Sequence, residues 1–343
     1  DRWNRKLVMV GSDVLRGLIV LSVLFVRSAG QLWILCLAAA GLALVGVFFY
    51  PARNAGIPNI VPLGMLLAAN SLIQGSYVIA LIVGPAIAGA AVELWAPSAI
   101  LFDSATFFVS ALIIASMHIP RTTPEERDAA SENGVWQDMK AGLDFIRHSR
   151  ALRRVLIITA IATLGIGAIV LLAIPHLKEQ LGAGGLEYGI AMSTLGIGSV
   201  LGGLMVSRLS RRVSTSTTVG GMLVLAGAAM VVFDYAPTYA AVLISLAAIG
   251  LCVVMARGAL DTISQALSPD AVRGRVQAAV NLLVVTATAV AECVSALLGS
   301  LIGVQAVFVA AGIVTALTGV AAVFALRTAA RLVSTRLVIG KAT

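Results

Sequence analysis

Apolar residues in this chain run in long unbroken stretches instead of recurring at the spacing of a half-buried strand or a surface helix. Ten stretches stand out, at about Leu7 to Val26, Leu32 to Tyr50, Leu66 to Leu94, Ser98 to His118, Arg154 to Pro175, Tyr188 to Ser207, Thr217 to Phe233, Thr238 to Arg257, Val276 to Ser300 and Val304 to Leu326. Each is near the roughly 20 residues that a helix needs to cross a hydrocarbon layer about 30 Å thick, where no water satisfies a stray backbone group. The pattern therefore predicts an all-α membrane protein. Its one long polar interruption lies between Pro120 and Arg153, where Glu125, Glu126, Arg127, Asp128, Glu132, Asp138, Lys140, Asp144, Arg147 and Arg150 mix both signs of charge. Within it Trp136, Met139, Leu143 and Ile146 recur at helical spacing, which predicts an amphipathic helix on the cytoplasmic membrane face or under the bundle. A structural connector and a specific binding element both fit, and the connector asks less of the sequence. The expected division is a first bundle over 1–118, a linker over 119–153, a second bundle over 154–327 and a tail over 328–343.

Composition strengthens this picture. Hydrophobic residues make up 59% of the chain, charged residues 12%, and the mean hydropathy is +0.99, far from the balance of a water-soluble domain. A net charge of +8 would suit nucleic acid, but the placement of the charges speaks for a membrane instead. If the first stretch enters from the cytoplasm, only Arg27 and Lys178 fall outside, Arg16 sits within a helix, and the remaining 21 of 24 basic residues fall on the cytoplasmic side. That asymmetry is the positive-inside rule, and it predicts that both chain ends are cytoplasmic in a plasma (inner) membrane. Cys36, Cys252 and Cys293 all lie in apolar stretches and are expected to be small buried hydrophobes. The opening Asp1-Arg2-Trp3-Asn4-Arg5-Lys6 precedes a stretch long enough to span, which does not read as a cleavable signal.

The two parts echo each other. Asp1-Arg2-Trp3-Asn4-Arg5-Lys6 matches Ser207-Arg208-Leu209-Ser210-Arg211-Arg212 at an offset of 206, and Ala52-Arg53-Asn54-Ala55 matches Ala256-Arg257-Gly258-Ala259 at an offset of 204. On that register nothing at the front corresponds to the two helices between about Arg154 and Val206. The expectation is that 10 of 12 helices are present and the first two are missing.

Several motifs sharpen this reading. Asp1-Arg2-x-x-Arg5-Lys6 fits the second part of G-x-x-x-D-R-x-G-R-[RK], with Asn4 in place of the second glycine. Gly75, followed by Gly84-Pro85-x-x-x-Gly89, fits a glycine–proline motif in which Pro85 removes a backbone donor and the glycines allow close packing. Tyr50-Pro51-Ala52-Arg53, Ala69-Asn70-Ser71-Leu72, Phe102-Asp103-Ser104-Ala105-Thr106-Phe107 and Arg273-Gly274-Arg275-Val276 complete the set. With these motifs the chain resembles transporters of the major facilitator superfamily, of the drug and proton antiporter type, and in particular the branch that contains the enterobactin exporter and macrolide efflux proteins. The resemblance implies two helical bundles that alternate between inward-open and outward-open states around a substrate cavity, with export driven by proton entry. It also implies a gate latch in which Asp1 pairs with Arg5 and faces a helix start near Arg275, with Arg2 and Lys6 completing the motif.

Ionisable groups at membrane depth cost about 2.5 to 3.5 kcal/mol each, so each needs a partner, water or a purpose. Asp13 and Arg16, three apart, share a face and are expected to neutralise each other. Asp103 begins a stripe continued by Thr106 and Ser110; a proton site and a hydrogen-bonded structural role both fit. Glu292 lies nearest the middle of its segment, on a face with Asn281, Thr288 and Ser295; it is a candidate for proton coupling or cation recognition, against a hydrated position without function. Asn70, Gln74 and Tyr77 form a third stripe, suited to a cavity for an amphiphilic solute or, equally, to helix packing.

Enzyme signatures such as H-E-x-x-H and G-x-S-x-G do not occur, and no Walker A sequence is present. His118, His148 and His176 are too scattered for a metal cluster, and no cofactor or catalytic residue is expected. Gly198 and Gly202, four apart inside a span, predict close helix contact and not a nucleotide loop. The leading expectation is a monomeric secondary exporter of hydrophobic drugs or siderophore-like molecules, with protons, a small-molecule substrate and membrane lipids as its partners. A lipid or lysolipid flippase, and a non-transporting membrane sensor or scaffold, are the alternatives.

Overall fold

The computed structural model describes residues 4–117, 144–209 and 213–327. They form ten long helices: α1 (Arg5–Ser22), α2 (Leu32–Ile60), α3 (Leu66–Leu94), α4 (Ala96–Ser116), α5 (Arg150–Leu181), α6 (Gly185–Leu209), α7 (Thr215–Asp234), α8 (Tyr239–Leu267), α9 (Asp270–Ile302) and α10 (Val304–Ala325). All ten are long and apolar enough to cross a membrane, and there is no strand among the described residues.

Local chemistry sets many of the ends. Asn4 caps α1 by accepting from the Lys6 N–H, and Ser149, Ser214 and Thr238 cap α5, α7 and α8 in the same way. Gly182 ends α5 in the left-handed region at φ 63°, which lets the Ala183 and Gly182 amides reach the Leu177 and Lys178 carbonyls. Gly303, at φ 88°, turns α9 directly into α10. Four helices overrun the apolar stretches that announced them: α2 runs to Ile60, α5 to Leu181 and α8 to Leu267, while α9 begins at Asp270. Hydropathy marks where a buried face stops, but the helix continues through polar residues, aided in α8 by the Arg257–Asp261 pair one turn apart.

The chain divides into two units, Asp1–Ala80 with Ile87–Glu132, and Leu81–Ala86 with Asn133–Thr343. In the first, α1 packs against α2 and α4; in the second, α7 packs against α8 and α10 in the same order. The matching helices have similar lengths, 18 and 20, 29 and 29, 29 and 33, 21 and 22 residues, so the internal echo of the sequence is a repeat of structure. The second unit has two more helices: α5 covers α9 and α10, and α6 lies along α8. No described helix plays either part in the first unit, and there α3 has no close-packed partner. Leu72, Tyr77, Ile79 and Val83 on α3 and Leu44, Val47 and Phe48 on α2 are exposed accordingly.

Backbone contact holds the second unit together. A Cβ on Gly227 would run into the Gly312 carbonyl, one on Gly220 would lie 2.6 Å from the Gly319 carbonyl, and Gly312 and Gly319 meet α7 in return. Gly198 and Gly202 of α6 press on the Ala247 and Leu251 carbonyls of α8, which is the close packing their spacing predicts. Two larger apolar clusters, one around Ile169, Leu177, Met230, Phe233, Leu246 and Phe308, the other around Val155, Val219, Leu260 and Ile263, and a smaller third at the start of α5 fill the interior.

Of the expected amphipathic linker helix, Trp136, Met139 and Leu143 lie outside the described residues. Ile146 is buried against Leu152, Val276, Ala279 and Val280, which ties the end of the linker to α5 and α9. The cysteine expectation needs correcting. Cys252 is buried, but Cys293 is exposed, because Ala287, Ala291 and Ser295 occupy the packed face of α9.

Candidate functional site

The buried charge in the first unit is structural. Arg16 lies 3.4 Å from Asp13, the Ser110 hydroxyl donates to the other Asp13 oxygen at 2.6 Å, and the guanidinium stacks 4.4 Å from the Phe49 ring. The cluster ties α1, α2 and α4 together, and Gly46 leaves room for the guanidinium, since a Cβ there would sit 3.4 Å from it. The stripe from Asp103 through Thr106 to Ser110 therefore splits. Ser110 turns to Asp13, Thr106 donates to the Asp103 main-chain carbonyl, and the Asp103 side chain is exposed.

On α3, Asn70, Gln74 and Tyr77 present a continuous exposed stripe, with Tyr77 67% exposed. Pro85 lies inside α3, where it cannot supply the amide that the Leu81 carbonyl would otherwise accept. Gly89 is buried, but a Cβ on Gly75 or Gly84 would meet nothing within 4 Å, so the described residues make no close packing at those two positions.

The polar residues of α9 also divide. Asn281 is exposed and accepts from Arg257 at 3.4 Å; Arg257 in turn grips both Asp261 oxygens at 3.0 and 3.1 Å. Thr288 donates to the Val284 carbonyl. Ser295 is buried, and Gly167 of α5 meets Ala291 one turn earlier. Glu292, three residues before Ser295 on the same helix, is half-buried beside that packed strip.

In the gate motif, Asp1 and Arg2 lie outside the described residues, so the expected Asp1–Arg5 pair does too. Arg5 is half-buried at the start of α1, and the Lys6 ammonium donates to the Met117 carbonyl at 2.9 Å, a cation closing the C-terminal end of α4. Arg275 is half-buried in the second turn of α9.

The most deeply buried ionisable pair among the described residues is not one that the sequence pattern singles out. His176 and Asp234 are 3% and 0% exposed, with Nε2 and Oδ1 3.6 Å apart. His176, Phe233 and Phe308 form a ring triad with centroids 5.0 to 5.3 Å apart. The apolar stretches stopped at Pro175 and Phe233, one residue short of each partner, and 58 residues separate the two, so only the packing of α5 on its neighbours brings them together. A lone acid and a lone histidine at the edges of two spans were the available signal.

Paired repeats of membrane-length helices that carry polar stripes define a polytopic membrane protein. Residues 1–291 and, overlapping them, 155–337 match the Major Facilitator Superfamily, and the chain belongs to that family. The multidrug efflux pump Tap of Mycolicibacterium fortuitum is 26% identical over 94% of this chain and 81% of its own length. A putative bacilysin exporter of Bacillus subtilis is 29% identical, but the match spans only 61% of this chain and about half (52%) of that relative. Macrolide efflux protein A of Streptococcus pyogenes is 25% identical over 46% of this chain and 39% of its own length. Among solved structures, a peptide transporter superposes with a TM-score of 0.72 at 12% identity, over 97% of this chain and 82% of its own. A bacterial homologue of the lysosomal transporter Spinster does so at 0.67 and 14%, over 97% and 83%. These two likenesses concern the fold.

Proposed function

We propose that this protein exports hydrophobic or siderophore-like small molecules by alternating access, driven by protons moving inward. The observation that carries the reading is the similarity to a multidrug efflux pump along nearly the whole chain. The α3 stripe of Asn70, Gln74 and Tyr77 and the α9 positions Asn281 and Thr288 supply uncharged polar and aromatic groups, which orient an amphiphilic solute without holding it tightly. Glu292 on α9 and Asp103 on α4 are the candidate carboxylates for cation recognition or proton coupling. In this reading 1–118 and 154–327 are the rocking bundles and 119–153 connects them, while Arg5, Lys6, Arg275 and the Gly75, Gly84, Pro85 and Gly89 motif serve the conformational change. The protein acts as a monomer in the inner membrane with both ends cytoplasmic, as the basic residues argue.

The test is accumulation of a fluorescent lipophilic cation, ethidium, and of a macrolide, in cells stripped of their other efflux pumps. Expression should lower accumulation, and a protonophore should restore it. Lowered accumulation that ignores the protonophore refutes the proton drive, and loss of competition by every drug but not by lysophospholipid favours a lipid substrate. Unchanged accumulation of both probes speaks for the scaffold alternative.

A further inference from the structure

Five facts about the second unit converge on one place. Asp234, the last residue of α7, is wholly buried, and neither carboxylate oxygen receives a well-formed hydrogen bond. His176 Nε2, 3.6 Å away, is likewise without one. The Gln180 amide of α5 donates to the Asp234 main-chain carbonyl at 2.9 Å and not to the carboxylate. Phe233 and Phe308 close around the imidazole. A cavity of about 740 Å³ opens beside the pair, lined by His176, Glu179, Gln180, Tyr235 and Gln305 among others. His176 lines it and Asp234 does not, so the imidazole is the member of the pair that faces the cavity.

A carboxylate kept only to brace helices gathers donors, because an unsatisfied buried charge is costly. Asp234 has few, the imidazole at 3.6 Å and the neighbouring Gln305 side chain of α10. What such a pair does well is hold a mobile proton. With one proton it is neutral overall, as imidazolium and carboxylate or as imidazole and acid; a second proton, taken from water in the cavity, leaves the acid beside an imidazolium and one uncompensated positive charge. Releasing that proton restores the neutral pair. The surrounding groups are few: Glu179 and Lys178 on α5, Tyr235 after α7, Tyr188 and Glu187 on α6 and Tyr239 on α8, whose hydroxyl donates to the Glu187 carbonyl. Glu179 is the carboxylate that shares the cavity with His176 and stands ready to collect the cation.

We propose that His176 and Asp234 are a proton-binding site of this transporter, entered from the cavity through the imidazole. As a coupling site it rests on the proton-driven reading above; as a proton-binding site it does not. With the orientation that the basic residues give, the cavity lies at the outer end of α5 and α7, on the side from which protons enter.

The first test needs no substrate. In infrared difference spectra of the purified, full-length protein taken between neutral and acidic pH, the carbonyl band of a buried carboxylic acid should appear in wild type and be missing in Asp234→Asn. An identical spectrum in that variant overturns the proposal. Should Asp234→Asn fail to fold, His176→Asn should move the midpoint of the band by about one pH unit or more, since it removes the charge partner; an unmoved midpoint overturns the pairing. For coupling, ethidium uptake into everted vesicles driven by a pH gradient should fall by about tenfold or more in Asp234→Asn. Exchange of ethidium without a gradient should stay within about twofold, because binding and rocking do not need the proton. Wild-type transport that ignores a protonophore, with the infrared band intact, sinks the proton drive and leaves the site. Unimpaired gradient-driven uptake in Asp234→Asn sinks the coupling role and leaves the drive.

Discussion

Cutting one side of the Asp13–Arg16 pair should destabilise the first unit severely, while replacing both with apolar residues should recover much of the loss. Asp13 is 2% and Arg16 8% exposed, so neither can turn to solvent without disturbing α1, α2 and α4. Removing one member of a buried pair costs about 3–5 kcal/mol, mostly because the other is left uncompensated. Ser110 alone then faces Asp13 in Arg16→Met, and the Phe49 ring is the main remaining partner of Arg16 in Asp13→Ala. For a protein of this size that corresponds to a melting temperature lower by on the order of 10 °C. Fluorescence-detected size exclusion after heating in detergent measures the shift. The pair Asp13→Leu with Arg16→Met should melt closer to wild type than either single variant. A single variant that melts within about 2 °C of wild type would refute the argument that this cluster braces the unit.

Other substitutions probe other contacts. Gly227→Ala should cost about 1–3 kcal/mol, because its Cβ meets the Gly312 carbonyl and the Ala316 amide, both backbone. Gly221→Ala in the same helix, where nothing lies within 4 Å, should be neutral or stabilise by up to about 1 kcal/mol, as read by the same melting assay. In a Cys36→Ser background, N-ethylmaleimide should label Cys293 well ahead of Cys252, and mass spectrometry showing the reverse order would contradict their burial. Glu292→Gln should weaken export of ethidium more than that of an uncharged drug; equal losses would deny the carboxylate a part in cation recognition.

The fold was largely legible because lipid imposes a crude rule, and every apolar run of spanning length became a helix. The internal repeat was legible too, since basic motifs recur where α1 and α7 begin. Helix ends were harder: hydropathy falls at Arg257, but the backbone ladder and the Arg257–Asp261 pair carry α8 ten residues further. Side-chain partners were legible only at helical spacing. Asp13 and Arg16, three apart, were paired in advance, but Ser110 as their third member was not, because it comes from another helix. His176 and Asp234 escaped for the same reason. The α9 face through Asn281, Thr288, Glu292 and Ser295 follows from spacing, but the burial of Ser295 does not, since a small hydroxyl fits a packed seam as readily as a wet one, and sequence does not say which neighbour arrives.

The glycine crossing of α7 with α10 has one more implication. With main chain seated on main chain at two levels seven residues apart, a slip of either helix by one turn would replace glycine at both crossings with bulkier residues such as Val224 and Thr315. The two must travel as a single plank. Whatever shape change accompanies a cargo's passage has to be absorbed at more forgiving joints, such as the bends at Gly182 and Gly303, and substitutions at those hinges should alter speed where substitutions in the crossing alter survival.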